Sequence, residues 1–202
     1  MPKTTARLPL KSIVLTALFA AISSVLFLVQ FGTPLTPDFL KLDLSDLPAL
    51  LAAMTLGTPY GVLVCLLKNL IGLLHSSTFG IGELSNLLLS TTFVTVAGLV
   101  YRKASTRKGA VLATLLGAAA MAAVSLPSNL FLIYPLYVSV MNLPLPVILG
   151  WYQEILPSAR ELWQALLIFN VPFTFVKAMM SVVIVLMIYR PLKPFLTESG
   201  RG

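Results

Sequence analysis

One cysteine and one histidine among 202 residues leave little from which to build a redox or metal centre. Cys65 stands in an apolar run, so the chain forms no intramolecular disulfide and its redox chemistry is silent. His75 lacks partners at metal-ligand spacing, which argues against a metal site. Charge is scarce as well: Asp, Glu, Lys and Arg make up 10% of the chain against 57% hydrophobic residues, and mean hydropathy is +0.93. Such a composition leaves no large soluble domain and describes an integral membrane protein. There is no GxxxxGK[ST] phosphate loop, so the chain has no ATPase of its own, and no GxSxG or HExxH motif. A net charge of +7 would suit nucleic acid, but the basic residues lie at the ends of apolar segments rather than on one face. They are better explained by membrane topology than by a nucleic-acid partner.

What is present is a series of apolar runs at about 12–31, 47–75, 83–101, 109–137 and 166–189, and a helix needs ~20 residues to cross a bilayer. The first is too long for a signal-peptide core and is read as a retained span. The second is broken by Gly57-Thr58-Pro59-Tyr60-Gly61, a turn signal. Charge decides whether it crosses once or twice. Lys3, Arg7 and Lys11 precede the first run, Arg102, Lys103, Arg107 and Lys108 follow 83–101, and Arg190, Lys193 and Arg201 close the chain. The positive-inside rule places all three groups, and both termini, in the cytoplasm, which requires an even number of crossings before residue 102. Splitting the second run satisfies this. The expectation is an all-α membrane protein, a single domain over 1–202, with six spans near 12–31, 47–56, 61–75, 83–101, 109–137 and 166–189. Asp38, Asp43, Asp46, Glu154 and Glu161 then fall outside, with Glu83 near that boundary and Glu198 inside. The run 109–137 exceeds a ~30 Å core at about 1.5 Å per residue, so it kinks at Pro127 or emerges at its outer end. The region 138–165 reads as an outer loop with an interfacial helix near Trp151.

Polar groups at membrane depth are costly and cluster at functional sites. Asn170, Thr174, Lys177 and Ser181 share one face of the last span. Lys177 either faces the bundle interior or snorkels to the surface. Ser125 and Asn129 share a face beside Pro127, where Asn129 is interhelical glue or a ligand contact. Lys68 is expected to pair with an aspartate of the 38–46 loop, and Asn86 shares a face with Glu83 and Ser90. Ala17 and Ala21, flanked by Ala20 and Ser24, form a small-xxx-small pair in the first span that serves either packing within the bundle or contact with another subunit.

Between the first two spans runs Pro37-Asp38-Phe39-Leu40-Lys41-Leu42-Asp43-Leu44-Ser45-Asp46-Leu47-Pro48, which holds three of the seven acidic residues. Leu40, Leu42 and Leu44 alternate with Lys41, Asp43 and Ser45, so an extended segment would have one dry and one wet face. The expectation is a lid over an outward cavity lined by amide, hydroxyl and ammonium groups, suited to a small, partly apolar, uncharged or weakly anionic solute.

With that loop motif, Gly61 through Lys68-Asn69-Leu70, Gly82-x-x-x-Asn86, Ser125 to Pro135 with Asn129, and Pro172-Phe173-Thr174-Phe175-Val176-Lys177, the chain resembles the substrate-binding S components of energy-coupling factor (ECF) transporters, specifically the riboflavin-binding branch. The similarity runs in order over nearly the whole chain. It implies six helices and riboflavin held near the outer surface by the loop and helices four to six. The residues so marked are Phe39, Leu40, Lys41, Leu42 and Asp43 in the lid, then Asn86, Asn129, Asn170, Thr174 and Lys177. By position Asn129 and Lys177 would hydrogen-bond the flavin. Thr174 stands where the family usually has Asn, a contact for which Asn170 one turn earlier would compensate. The resemblance further implies docking through Ala17 and Ala21 on a membrane-coupling subunit. Two ATPase subunits would drive uptake across a prokaryotic cell membrane, so the chain itself is not an enzyme. No cofactor is implied. Riboflavin is the substrate, and a single lysine in place of an Arg cluster is compatible with flavin mononucleotide without requiring it. Two other readings stand beside this one: an S component for a different vitamin, and a membrane enzyme or assembly subunit with no ligand.

Overall fold

The computed structural model describes residues 10–37 and 39–198, with side chains described through residue 188. Lys3, Arg7, Asp38 and Arg201 lie outside the described residues, and the side chains of Arg190, Lys193 and Glu198 are likewise outside. The chain is helical: α1 (Leu10–Leu28), α2 (Asp46–Thr55), α3 (Thr58–Gly72), α4 (Ile81–Lys103), α5 (Arg107–Ser128), α6 (Tyr134–Met141), α7 (Leu145–Gln153), α8 (Leu162–Ala165) and α9 (Val171–Glu198). Short π segments, Asn129–Ile133 and Leu166–Asn170, join α5 to α6 and α8 to α9 into continuous rods. Five rods are long and apolar enough to cross a membrane: Leu10–Leu28, Thr58–His75, Ile81–Lys103, Arg107–Met141 and Leu162–Ile188. The sixth expected crossing is α2, at ten residues too short to span unaided.

Shelter by its neighbours makes α2 viable. It packs against α1, α3, α4 and α9, and Ala49, Leu50 and Ala52 have no exposed surface. In lipid the drive to bring helices together comes from close packing rather than water exclusion, so small residues matter most. The core is accordingly rich in alanine, with Ala53, Ala97, Ala110, Ala113 and Ala118 among α2, α4 and α5. The turn between α2 and α3 rests on two glycines. Gly57 sits at φ +115°, a conformation L side chains avoid, and a Cβ on Gly61 would lie 2.6 Å from the Ala53 methyl.

The two π segments have a common cause. Pro135 and Pro172 each follow a π segment by two residues, and a proline ring collides with the carbonyl four residues back while giving no N–H to it. Those carbonyls, of Phe131 and Ile168, lie inside the π segments, where the widened turn makes room. The 109–137 region thus resolves its excess length in a 35-residue rod that departs from α geometry after Pro127, not at it.

At one end, called here the loop end, the segment after α1 folds back and is clasped by an antiparallel bridge between Phe31 and Leu42, with hydrogen bonds of 3.0 and 2.8 Å. A second apolar cluster, including Ile148 and Tyr152 of α7 and Phe169, covers the same end.

Candidate ligand-binding site

The loop-end cavity is walled by four parts of the chain. Phe39, Leu40 and Lys41 come from the loop, Gly82, Ser85, Asn86 and Leu89 from α4, Met121 to Tyr137 from the rod containing α5 and α6, and Asn170, Phe173, Thr174 and Lys177 from the last rod. The expected residues Phe39, Leu40, Lys41, Asn86, Asn129, Asn170, Thr174 and Lys177 are therefore brought together. Leu42 and Asp43 do not line the cavity. Leu42 is buried beside its bridge to Phe31, and Asp43 turns into the bundle to accept from Lys177 at 2.8 Å.

The dry and wet alternation expected of the loop is thereby corrected. Asp43 and Ser45, read as water-facing, are 1% and 0% exposed, while Leu40 and Leu44 are only partly covered. Period-two alternation presumes an extended strand, but only Leu42 pairs in strand fashion and the chain has entered α2 by Asp46. Two buried lysines are the physical reason the polar residues point inward, because an ammonium in low dielectric needs a partner. Lys177 takes Asp43. Lys68, with no exposed surface, takes Asp46 Oδ1 at 2.5 Å, Ser45 Oγ at 2.7 Å and Ser90 Oγ at 3.2 Å. Ser45 in turn donates to Asp43 Oδ1 at 2.5 Å, so both ion pairs form one network beneath the lid.

Lys177 thus faces the bundle interior rather than snorkelling, at 7% exposure. Asn170, Thr174 and Ser181 are buried with it along the last rod. Asn129 and Thr174 differ from the other buried polar residues of the site. Among the described residues neither side chain has a protein hydrogen-bond partner, and both line the cavity. Buried polar groups are almost always paired, so these two mark where a ligand or water completes the site. Asn170 is different: Tyr152 Oη donates to its Oδ1 at 2.6 Å.

Tyr134 and Tyr137 were not legible from periodicity. Asn129 and Tyr134 are five residues apart, which a 3.6-residue turn places on different faces and a π turn brings together. Tyr152, behind the wall, belongs to the helix expected near Trp151, but nothing in its spacing marked it.

The inner cavity encloses about 130 Å³, below the ~300–1,000 Å³ of ordinary small-molecule sites. A second cleft of about 560 Å³, lined by Thr33, Thr36, Trp151 and Glu154 among others, adjoins it. Phe39 lines both, its ring held 5.5 Å from Trp151 and 5.7 Å from Tyr152 between centroids. His75 is exposed at the end of the rod Thr58–His75, and among the described residues no group of three His, Cys, Asp or Glu side chains is placed to hold a metal ion.

An all-helical membrane bundle with a polar cavity at one end, closed by a loop, defines the class: a multi-pass membrane protein built to bind a small solute. Residues 11–189 match the family described as the ECF transporter, substrate-specific component, and the chain belongs to that family. It is 28% identical over 186 residues to the riboflavin transporter RibU of Staphylococcus aureus, covering 92% of each chain. To the riboflavin transporter FmnP of Bacillus subtilis it is 29% identical over 192 residues, covering 94% of this chain and 95% of the relative. A solved structure described as the S component of a bacterial ECF transporter superposes with a TM-score of 0.72 at 27% identity, over 92% of this chain and 97% of the other.

Proposed function

We propose that this chain, as one membrane domain over 1–202, is the riboflavin-binding component of an ECF-type vitamin uptake transporter. The observation that carries the reading is the pair of buried, unpartnered side chains, Asn129 and Thr174, opening with Lys177 into one cavity. Riboflavin has an apolar dimethylbenzene end, an edge of imide N–H and carbonyl groups, and a neutral hydroxyl chain. Amide, hydroxyl and ammonium groups suit that edge, and Phe39, Leu40, Leu89 and Met121 suit the ring. The charge balance agrees with a neutral solute, since Asp43 already neutralises Lys177. Lys41 is then the lining cation without an anionic partner among the described residues, a weak basis for requiring a phosphate.

In this reading the loop end faces outward, both termini are cytoplasmic, and the protein sits in a prokaryotic plasma membrane. Ala17 and Ala21 dock on a membrane-coupling subunit, and two ATPase subunits supply the energy. The relatives' names and the likeness of fold support this assignment.

The test is titration of the detergent-purified protein with riboflavin, read by quenching of flavin fluorescence. Stoichiometric quenching is expected, and Asn129→Ala should weaken binding about tenfold, the loss of one net hydrogen bond in a buried site. A protein that purifies without flavin absorbance and leaves added riboflavin fully fluorescent would overturn the assignment.

A further inference from the structure

In the cavity wall Tyr134 and Asn170 close a ring of hydrogen bonds with Tyr152 behind them. Tyr152 Oη lies 2.6 Å from Asn170 Oδ1, Tyr134 Oη lies 2.5 Å from Tyr152 Oη, and Asn170 Nδ2 lies 3.4 Å from Tyr134 Oη. Each phenol has a single proton to give, so the ring runs in one direction or the other. Length decides which. The 2.6 Å contact to Asn170 lies within the O–H···O range and below the 2.7–3.2 Å of N–H···O bonds, so the amide oxygen is the atom that faces Tyr152. Tyr152 therefore donates to the Asn170 carbonyl, Tyr134 donates to Tyr152, and the Asn170 amide donates to Tyr134. With the amide turned the other way, its N–H would sit at the 2.6 Å contact, too short for an N–H···O bond.

The consequence lies on the cavity side. Asn170 lines the cavity and is 3% exposed, with its carbonyl and one N–H committed to the tyrosines. What it retains for a ligand is the second amide hydrogen, with one further lone pair on Oδ1. An asparagine free to turn over would offer either a donor or an acceptor and would discriminate poorly between ligands. Tyr152 does not line the cavity and has no exposed surface; its ring is wedged between Phe39 and Phe169 at centroid distances of 5.7 and 5.5 Å. Burial holds its phenol well above the ordinary value, so the donating proton is retained at physiological pH.

We propose that Tyr152 is a positioning residue that fixes the Asn170 amide in one orientation, so that its free N–H stands at a set place in the site and meets an acceptor, a ring carbonyl or imine nitrogen, on the ligand. The inference rests on the flavin reading for its ligand but not for its geometry. Tyr152→Phe removes the hydroxyl and keeps the ring. Four proteins are compared: wild type, Tyr152→Phe, Asn170→Ala and the double variant. Riboflavin affinity should fall about tenfold in Tyr152→Phe, equivalent to about 1.4 kcal/mol. It should fall at least as far in Asn170→Ala, with no further loss in the double variant. Independent, additive losses would overturn the proposal, because Tyr152 would then act through packing alone. The same cycle is read in melting temperature without ligand, where non-additivity is again expected and additivity again counts against the ring. If wild type binds no riboflavin the flavin reading falls, and the melting cycle still decides whether Tyr152 holds the amide. Should Tyr152→Phe fail to fold, Tyr134→Phe removes the acceptor of the Asn170 N–H, and its cycle with Asn170→Ala is read in melting temperature without ligand, because Tyr134 itself lines the cavity; additive losses there overturn the ring.

Discussion

Lys68 spends all three of its ammonium hydrogens inside the bundle, on Ser45, Asp46 and Ser90. That a lysine in an apolar run would seek a loop aspartate was legible, because the chain has few acids and several lie in 38–46. Which aspartate it takes was not, since Asp43 and Asp46 are three residues apart and the choice depends on where α2 begins. Breaking this pair leaves a carboxylate buried without a counter-charge, which typically costs ~3–5 kcal/mol, whereas removing both charges costs far less. Lys68→Met should therefore lower the melting temperature sharply, and Lys68→Met combined with Asp46→Asn should recover much of the loss. Equal melting of Lys68→Met and wild type would show that the pair does not hold the loop to α3. A sharp loss is expected because, without Lys68, Asp46 keeps only the Ser90 hydroxyl on Oδ1 while its Oδ2 has no partner.

At the scale of elements, the apolar runs announced the rods, but the π turns within them were invisible to a 3.6-residue period. Pro127, the expected kink, sits inside α5 without breaking it, and the departures occur where Pro135 and Pro172 meet the preceding turn. Those departures bring Asn129 beside Tyr134 and place Asn170 at the end of its own segment, so the cavity depends on them. The loop was legible as a lid in location and misread in orientation, because alternation alone cannot reveal two lysines waiting beneath it. Its Phe39 lines both the 130 Å³ cavity and the 560 Å³ cleft. The smaller space is below that of ordinary small-molecule sites, and displacing this ring from Trp151 and Tyr152 would join it to the larger cleft. Phe39→Ala should therefore speed both association and dissociation of riboflavin in stopped-flow quenching, by about tenfold if the ring's contacts are worth ~1–1.5 kcal/mol. Unchanged rates would mean that the ligand enters by another path.

For the molecule as a whole, exposed apolar surface says little, since lipid covers it. The informative surface on α1 is the one lipid has no use for. Ala17 and Ala21 are exposed, whereas Ala20 and Ser24, their neighbours on the helix, are buried against the bundle. Packing within the chain therefore accounts for Ala20 and Ser24 and leaves Ala17 and Ala21 free, flanked by Val14, Leu18 and Val25 at 57%, 54% and 62% exposure. Two small residues four apart make a shallow groove in which another helix can approach closely, and acyl chains need no such groove. The site residues lie at the loop end and on other helices, so a bulky side chain on this groove should separate docking from binding. Ala17→Trp or Ala21→Trp is expected to abolish riboflavin uptake by cells while leaving the affinity in detergent within about twofold of wild type, less than the ~0.4–0.5 kcal/mol such a ratio represents. Loss of both activities would place the substitution in the fold rather than the interface. Retention of both would move the docking surface elsewhere on the bundle.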